Sequence, residues 1–368
     1  MSHEYPPAEP QWQPSPTQSP TQSPGYPQDY SSVYPPAYPA YPPPVLPSFP
    51  HAEAQPYHLM LRTWTYAWWK PVVGIVIALA GMLLIAPLVL LPVLAVGVAL
   101  EDGPFWQNFR DAATLKAVSP AALFYLNLVL GSMILLTWFI MRVVHRMRPR
   151  WLASVVPKMR WTFFLACLGL AVVALVAQVV VGTLVPTGGG EGDLTGKLNH
   201  FTASTVAVAL VVLLTTPLQA AGEEYLFRGY LLQAVGSLFR NRWVAIVATA
   251  TLFALAHGAQ NFPLFFDRFA FGLIAGWLVT KTGGLEAGIA LHILNNFLAF
   301  GLALSFGDLT ETLTVSEVSW WNIVLTVTQS GVYTVLVLLV ARRMGLQSTT
   351  RPPFPDSREA VTQGAVTA

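Results

Sequence analysis

The sequence predicts an all-α fold, a polytopic membrane bundle of about eight transmembrane helices with a site in a mid-membrane cavity. Three observations carry this reading. Only 10% of the 368 residues are charged and 54% are hydrophobic, whereas a soluble domain carries about 25% charged residues. Apolar runs long enough to span a bilayer recur along the chain. Lysine and arginine collect in alternate connecting segments, the pattern that orients membrane helices. A formal net charge of +2 offers no nucleic-acid surface, and no nucleic-acid partner is expected.

The elements follow in order. Residues 1–57 hold 17 of the 30 prolines and 7 of the 12 tyrosines, too little apolar surface for a core, so a disordered cytoplasmic tail with polyproline character is expected. A proline-recognition domain is a possible partner of that tail. Arg62, Trp64, Tyr66, Trp68, Trp69 and Lys70 then mark a membrane interface, where amphipathic rings and cations collect. The membrane domain is expected over 58–345. Its apolar runs lie near 71–100, 120–143, 162–186, 202–236, 243–260, 262–281, 284–305 and 320–341. The fourth run is over-long, with Gly222, Gly229 and Gly236 as places to bend. The sixth opens on Asp267 and Arg268, which leaves its start least defined. A polar, disordered tail is expected over 346–368.

With the N-terminus inside, fifteen of the twenty Lys and Arg residues fall in cytoplasmic segments, and four, Arg268 among them, fall outside. The expected protein is therefore a multi-pass protein of the cell (plasma) membrane with both termini cytoplasmic. Cys167 is the single cysteine, so no disulfide framework or cysteine metal site can form. A small core residue is its expected role.

Against this background two adjacent acids stand out. Glu223 and Glu224 interrupt the fourth apolar run, and a carboxylate at membrane depth must be paired, hydrated or functional. Glu224 and Arg228 are four residues apart, acid first, the favourable order for a pair on one helix face. Glu223 points about 100° away and is left for another task. His257 and His292 lie in later runs, and Asn296 shares a helix face with His292. Counted from the basic edges, His257 lies about 22 Å deep, His292 about 17 Å and Glu223 at most about 25 Å, at about 1.5 Å per residue. One acid, two imidazoles and one amide can therefore meet in one cavity.

These positions, Glu223-Glu224-x-x-x-Arg228, Phe253-x-x-x-His257 and His292-x-x-x-Asn296, resemble the three-motif signature of the CAAX-protease and bacteriocin-processing family. Its members include the type II CAAX prenyl endopeptidase and the Abi, or lysostaphin-resistance-protein-A-like, proteins. The resemblance covers about residues 200–305. It implies an intramembrane endopeptidase acting on membrane-associated, lipidated or prenylated protein or peptide substrates within the lipid bilayer.

The groups themselves suit such chemistry. Peptide hydrolysis needs an activated water and donors for a developing oxyanion. Glu223 is the natural base and His257 can hold the same water. His292 and Asn296 can face the oxyanion, while Arg228 holds Glu224 in a supporting role. Glu223, His257 and His292 also make a two-histidine, one-carboxylate set of the kind that binds catalytic zinc. The His-Glu-x-x-His signature is absent, and Asn296 suits an oxyanion better than zinc. The sequence thus favours a mechanism without a cofactor, with zinc as the alternative. Two readings from other classes stand beside it: a proton-coupled transporter, which uses similar relays, and a non-catalytic immunity protein. Matching motifs in two halves, which would mark the transporter, are missing.

Overall fold

The computed structural model describes residues 50–186 and 198–351. The proline-rich stretch 1–49, residues 187–197 and residues 352–368 lie outside the described part, as do the tail expectations that fall on them. Ten helices organise the rest: α1 Trp69–Ala99, α2 Phe105–Ala113, α3 Pro120–Val143, α4 Trp161–Gly182, α5 Ala203–Phe239, α6 Arg242–Leu255, α7 Phe262–Thr282, α8 Glu286–Phe306, α9 Leu309–Thr314 and α10 Trp321–Arg343. Seven of them are long and apolar enough to cross a membrane, and α6 is a shorter apolar helix of 14 residues. Seven long spans and one short one correspond to the eight expected apolar runs.

The over-long fourth run is one unbroken helix. Its geometry does change: Tyr225–Leu231 is π-helical, a wider turn that starts directly after Glu224. The fifth run is shorter than its hydropathy suggests, because α6 stops at Leu255 and Gly258 turns the chain at φ 82°.

Around the site the helices close a ring. α5 packs on α8, α8 on α4, α4 on α10, α10 on α7, α7 on α6, and α6 returns to the C-terminal half of α5. α3 packs on the outer side of α5, and α1 packs on α3. The largest core cluster fills this ring, with Phe227, Tyr230, Phe253, Leu278, Leu291 and Tyr333 among its members. Cys167 lies in it as a free, buried thiol. Leu83, Leu88, Leu165, Val176, Leu213 and Val335 face outward, as lipid-facing helices require. Exposed tryptophans ring both ends: Trp64, Trp68, Trp69, Trp161 and Trp243 at the basic end, and Trp106, Trp320 and Trp321 at the other.

Residues 50–57 correct the boundary drawn from composition. The membrane domain begins by about residue 50, because this stretch is packed rather than free. His51 and Tyr57 are buried, His51 Nε2 meets the Met60 carbonyl at 2.7 Å, and Tyr57 donates to the Leu152 carbonyl. Pro56 forms an isolated antiparallel bridge with Thr349, and Thr350 N–H donates to the Gln55 carbonyl at 2.9 Å. The domain therefore also extends beyond 345, to at least Arg351. Local proline content marks a chain as extended, but it says nothing of partners 295 residues away. Nearby, His145 Nε2 lies 3.1 Å from the Tyr230 hydroxyl. Burial, reinforced by the Lys70 charge, pushes the His145 imidazole down to about 4.

Two contacts set the helices that carry the acids. Arg160 grips Glu286 with Nε to Oε1 at 2.8 Å and Nη2 to Oε2 at 2.6 Å, and its Nη1 donates to the Thr282 carbonyl at 2.7 Å. This bidentate pair fixes the start of α8 against the α4 entry. At the α3–α5 crossing, a Cβ on Gly222 would stand 2.1 Å from the Leu130 carbonyl oxygen and 2.9 Å from Gly131 Cα. Only glycine allows this approach, one residue before Glu223. Gly222→Ala is expected to lower stability by about 1–3 kcal/mol through forced separation of the helices. Thermal unfolding in detergent or lipid checks this, and an unchanged melting temperature would contradict the crossing described.

Candidate active site

Three elements bring the functional side chains together. α5 supplies Gln219, Glu223, Glu224 and Arg228, α8 supplies His292 and Asn296, and His257 stands in the turn just past α6. Glu223, Glu224, Arg228 and His292 are buried, Asn296 is half-buried, and His257 is exposed.

Glu224 is the enclosed acid. It is 0% exposed, and its Oε1 accepts from Arg228 Nη1 at 2.8 Å and meets His292 Nδ1 at 3.0 Å. Its Oε2 has no hydrogen-bond partner and lies where a Cβ on Gly288 would come within 2.6 Å. The α5–α8 contact is thus built around this carboxylate. Arg228 Nε and Nη2 likewise lack hydrogen-bond partners. Aromatic faces take their place: the guanidinium carbon lies 4.0 Å from the Phe253 ring centroid and 5.0 Å from that of Phe271, a cation–π arrangement.

Glu223 has a different environment. Its Oε1 accepts from Gln219 Nε2 at 2.7 Å, and Gln219 Oε1 in turn accepts from Asn296 Nδ2 at 2.8 Å. Its Oε2 faces His292 Nε2 at 3.7 Å, too far for a direct hydrogen bond. His292 therefore lies between the two acids, one ring nitrogen toward each. The division into a paired acid and an independent acid is too simple: one imidazole joins them. With Glu224 as acceptor, Nδ1 is the protonated nitrogen.

His257 stands off the helix that was expected to hold it. Its Nδ1 lies 2.8 Å from the Phe253 carbonyl, which leaves Nε2 open. Glu223 and His292 are both within electrostatic reach of it. Phe253 is the hub of the cluster. Its ring lies edge-on to His257 at 4.7 Å and to His292 at 6.0 Å, and under Arg228. Asn296 is tied to α5 through its bond to Gln219. Asn295 accepts from Gln329 of α10 and joins helices.

Sequence reasoning missed Gln219. The signal was present, because Gln219 precedes Glu223 by four residues and shares its helix face. The aromatic cage of Phe253 and Phe271 had no comparable signal, because Phe271 comes from a different helix.

Among the described residues no group of three or more His, Cys, Asp or Glu side chains is gathered as a metal site. Glu223 Oε2 and His292 Nε2 nevertheless face each other, and the contact of Nδ1 with Glu224 is of the kind that orients a metal-binding histidine, so the donor set is compatible with either expectation.

Fold and site together define a multi-pass helical membrane protein with a buried acid–histidine cluster between its helices. Residues 203–298 match the family model described as type II CAAX prenyl endopeptidase Rce1-like. The resemblance read from the three motifs is borne out over that stretch, which contains every candidate residue named above. A relative from Bacillus subtilis (strain 168), the uncharacterized protein YyaK, is 30% identical over 107 residues, 27% of this chain and 36% of the relative. The match thus spans about a third of the relative's length. No solved structure matches the chain.

Proposed function

We propose that the protein is an intramembrane endopeptidase in which Glu223 activates water for attack on a peptide bond. The observation that carries this is the asymmetry of Glu223. One oxygen is fixed by Gln219, and the other is directed into a gap of 3.7 Å toward His292 Nε2. A water placed beside this pair, within hydrogen-bond reach of Glu223 Oε2 and with His257 proposed to hold it from the turn, meets the requirement that a general base lie within reach of the proton it removes.

Asn296 and His292 are proposed to serve the oxyanion of the tetrahedral intermediate. One amide proton of Asn296 is used by Gln219 and the second is free for that role, while His292 presents Nε2 to the same space. Glu223 takes a proton from water, water oxygen bonds to the carbonyl carbon, and the proton passes to the leaving amine as the C–N bond breaks. Glu224 and Arg228 touch no substrate in this scheme and hold His292 in place. The route as proposed involves no metal.

The substrates proposed are membrane-associated proteins or peptides, prenylated CAAX-type proteins included, as the family match supports. The basic end, where Arg142, Arg146, Arg148, Arg150 and Arg240 gather, is proposed to face the cytoplasm of a plasma membrane, with both termini on that side.

The test compares protein termini in membranes from cells carrying the wild-type chain or Glu223→Gln. New N-termini present only with the wild type are expected; identical sets of termini would refute the assignment. Gln219→Leu addresses the positioning of the base. Loss of its amide frees both Glu223 and Asn296, and a displacement of about 1 Å at a reacting group costs up to about a hundredfold. Cleavage should therefore fall about 10- to 100-fold with the fold retained. An unchanged rate would show that Gln219 does not position Glu223.

A further inference from the structure

Arg268 is the cation that the endopeptidase reading leaves unused. The sequence counted it among the outside cations near the start of the sixth run, and it lies inside α7, the seventh residue of Phe262–Thr282. Lys281 marks the basic end of the same helix, 13 residues on, which places Arg268 about 20 Å deep at about 1.5 Å per residue. That is the depth band of the acids and histidines. An ionised side chain at such depth needs a partner or a function.

No carboxylate meets it at ion-pair distance. Asp267, the adjacent residue, is within electrostatic reach of the guanidinium, but its carboxylate accepts from Thr326 of α10 at 2.5 Å and forms no ion pair with Arg268. Arg268 Nη1 donates to Gln260 Oε1 at 2.8 Å, and Gln260 Nε2 donates to the Ala254 carbonyl at 2.6 Å. Its Nε and Nη2 have no acceptor among the described residues and are not sealed in the interior. Arg160 and Arg228 differ. Arg160 spends its fork on Glu286, and Arg228 is 0% exposed beneath aromatic rings. Arg268 is half-buried, with the pair of N–H groups that grips a carboxylate through parallel hydrogen bonds still open.

Its anchorage points the same way. Gln260 belongs to the turn 256–261 that carries His257, three residues before it. The bond from Arg268 Nη1 to Gln260 therefore ties the guanidinium to the turn that holds the proposed water-binding histidine.

We propose that Arg268, oriented by Gln260, binds a carboxylate of the substrate near the scissile bond and selects substrates that carry one there. This rests on the endopeptidase reading and adds a substrate requirement to it. Two sources have the same chemistry, a free C-terminus and an Asp or Glu side chain.

The test uses the full-length protein in proteoliposomes and lipid-anchored mixed-sequence peptides in three forms: C-terminal acids without Asp or Glu, the corresponding amides, and amides containing Asp and Glu. Cleavage is read by mass spectrometry for wild type, Arg268→Met, Arg268→Lys and Glu223→Gln. The wild type is expected to cleave one carboxylate-bearing form at least about tenfold faster than the plain amides, the range of a charge-assisted hydrogen bond. Preference for the first form identifies the C-terminus, and preference for the third identifies a side chain. Arg268→Met should bring the ratio close to one, and Arg268→Lys should keep part of it. A purely structural tie between Gln260 and Arg268 would lower all rates and leave the ratio unmoved. Equal cleavage of all three forms by the wild type, or a full ratio in Arg268→Met, overturns the carboxylate site. If that cleavage is absent from Glu223→Gln, the endopeptidase reading stands. No cleavage of any form by the wild type overturns both.

Discussion

Glu223→Gln is expected to reduce peptide hydrolysis by about 10²- to 10⁴-fold, the contribution of a positioned general base, while the protein inserts and folds normally. Glutamine nearly preserves the shape, and its carbonyl can still accept from Gln219 Nε2, which bonds Glu223 Oε1 at 2.7 Å. What it lacks is the basic oxygen that faces His292 Nε2. Because Glu223 makes no ion pair with Arg228, its neutralisation leaves no guanidinium stranded. Purified variant and wild type should melt within about 1 kcal/mol of each other, the ordinary range for a shape-preserving change that opens no cavity and leaves the Glu224–Arg228 pair intact. Cleavage within a factor of about two of the wild type would remove Glu223 from the mechanism.

Arg228→Met acts on stability instead. It should destabilise the fold by about 3–5 kcal/mol, the cost of leaving one partner of a buried ion pair uncompensated. Glu224 is 0% exposed and would keep only His292 as a partner. Methionine is long enough to reach the space beneath Phe253 and Phe271 where the guanidinium now lies, so the loss reports charge more than volume. A second substitution, Glu224→Met, should recover part of the loss, since apolar replacement of both partners is often neutral or favourable. Chemical unfolding of the single and double variants measures this, and a wild-type midpoint for Arg228→Met would show that the pair is not structural.

Much of this molecule was legible before any coordinates. Spanning helices announce themselves because lipid demands long apolar runs with satisfied backbones, and seven long helices and one short one follow the eight runs. The Glu224–Arg228 contact follows from helical spacing, and the 2.8 Å bond is where four residues of separation put it.

Other features were hidden for physical reasons. Tyr57 reads as one more tail tyrosine until the Leu152 carbonyl, 95 residues later, accepts its hydroxyl proton. Arg160 counts as a loop cation until Glu286, 126 residues away, takes its fork. Hydropathy could not end α6 at Leu255, because Ala256 is apolar too and the turn is made by the backbone at Gly258. The sharing of His292 between two acids needs the relative rotation of α5 and α8, which residue spacing along either helix does not contain.

The central claim is that Glu223 delivers water to the peptide bond itself. The most direct test is cleavage by the purified wild-type protein before and after metal removal verified by elemental analysis, followed by addition of zinc. The proposed mechanism, in which Glu223 Oε2 acts on water without a metal, predicts an unchanged rate at every stage. Loss of cleavage on stripping and its return with zinc would contradict the claim.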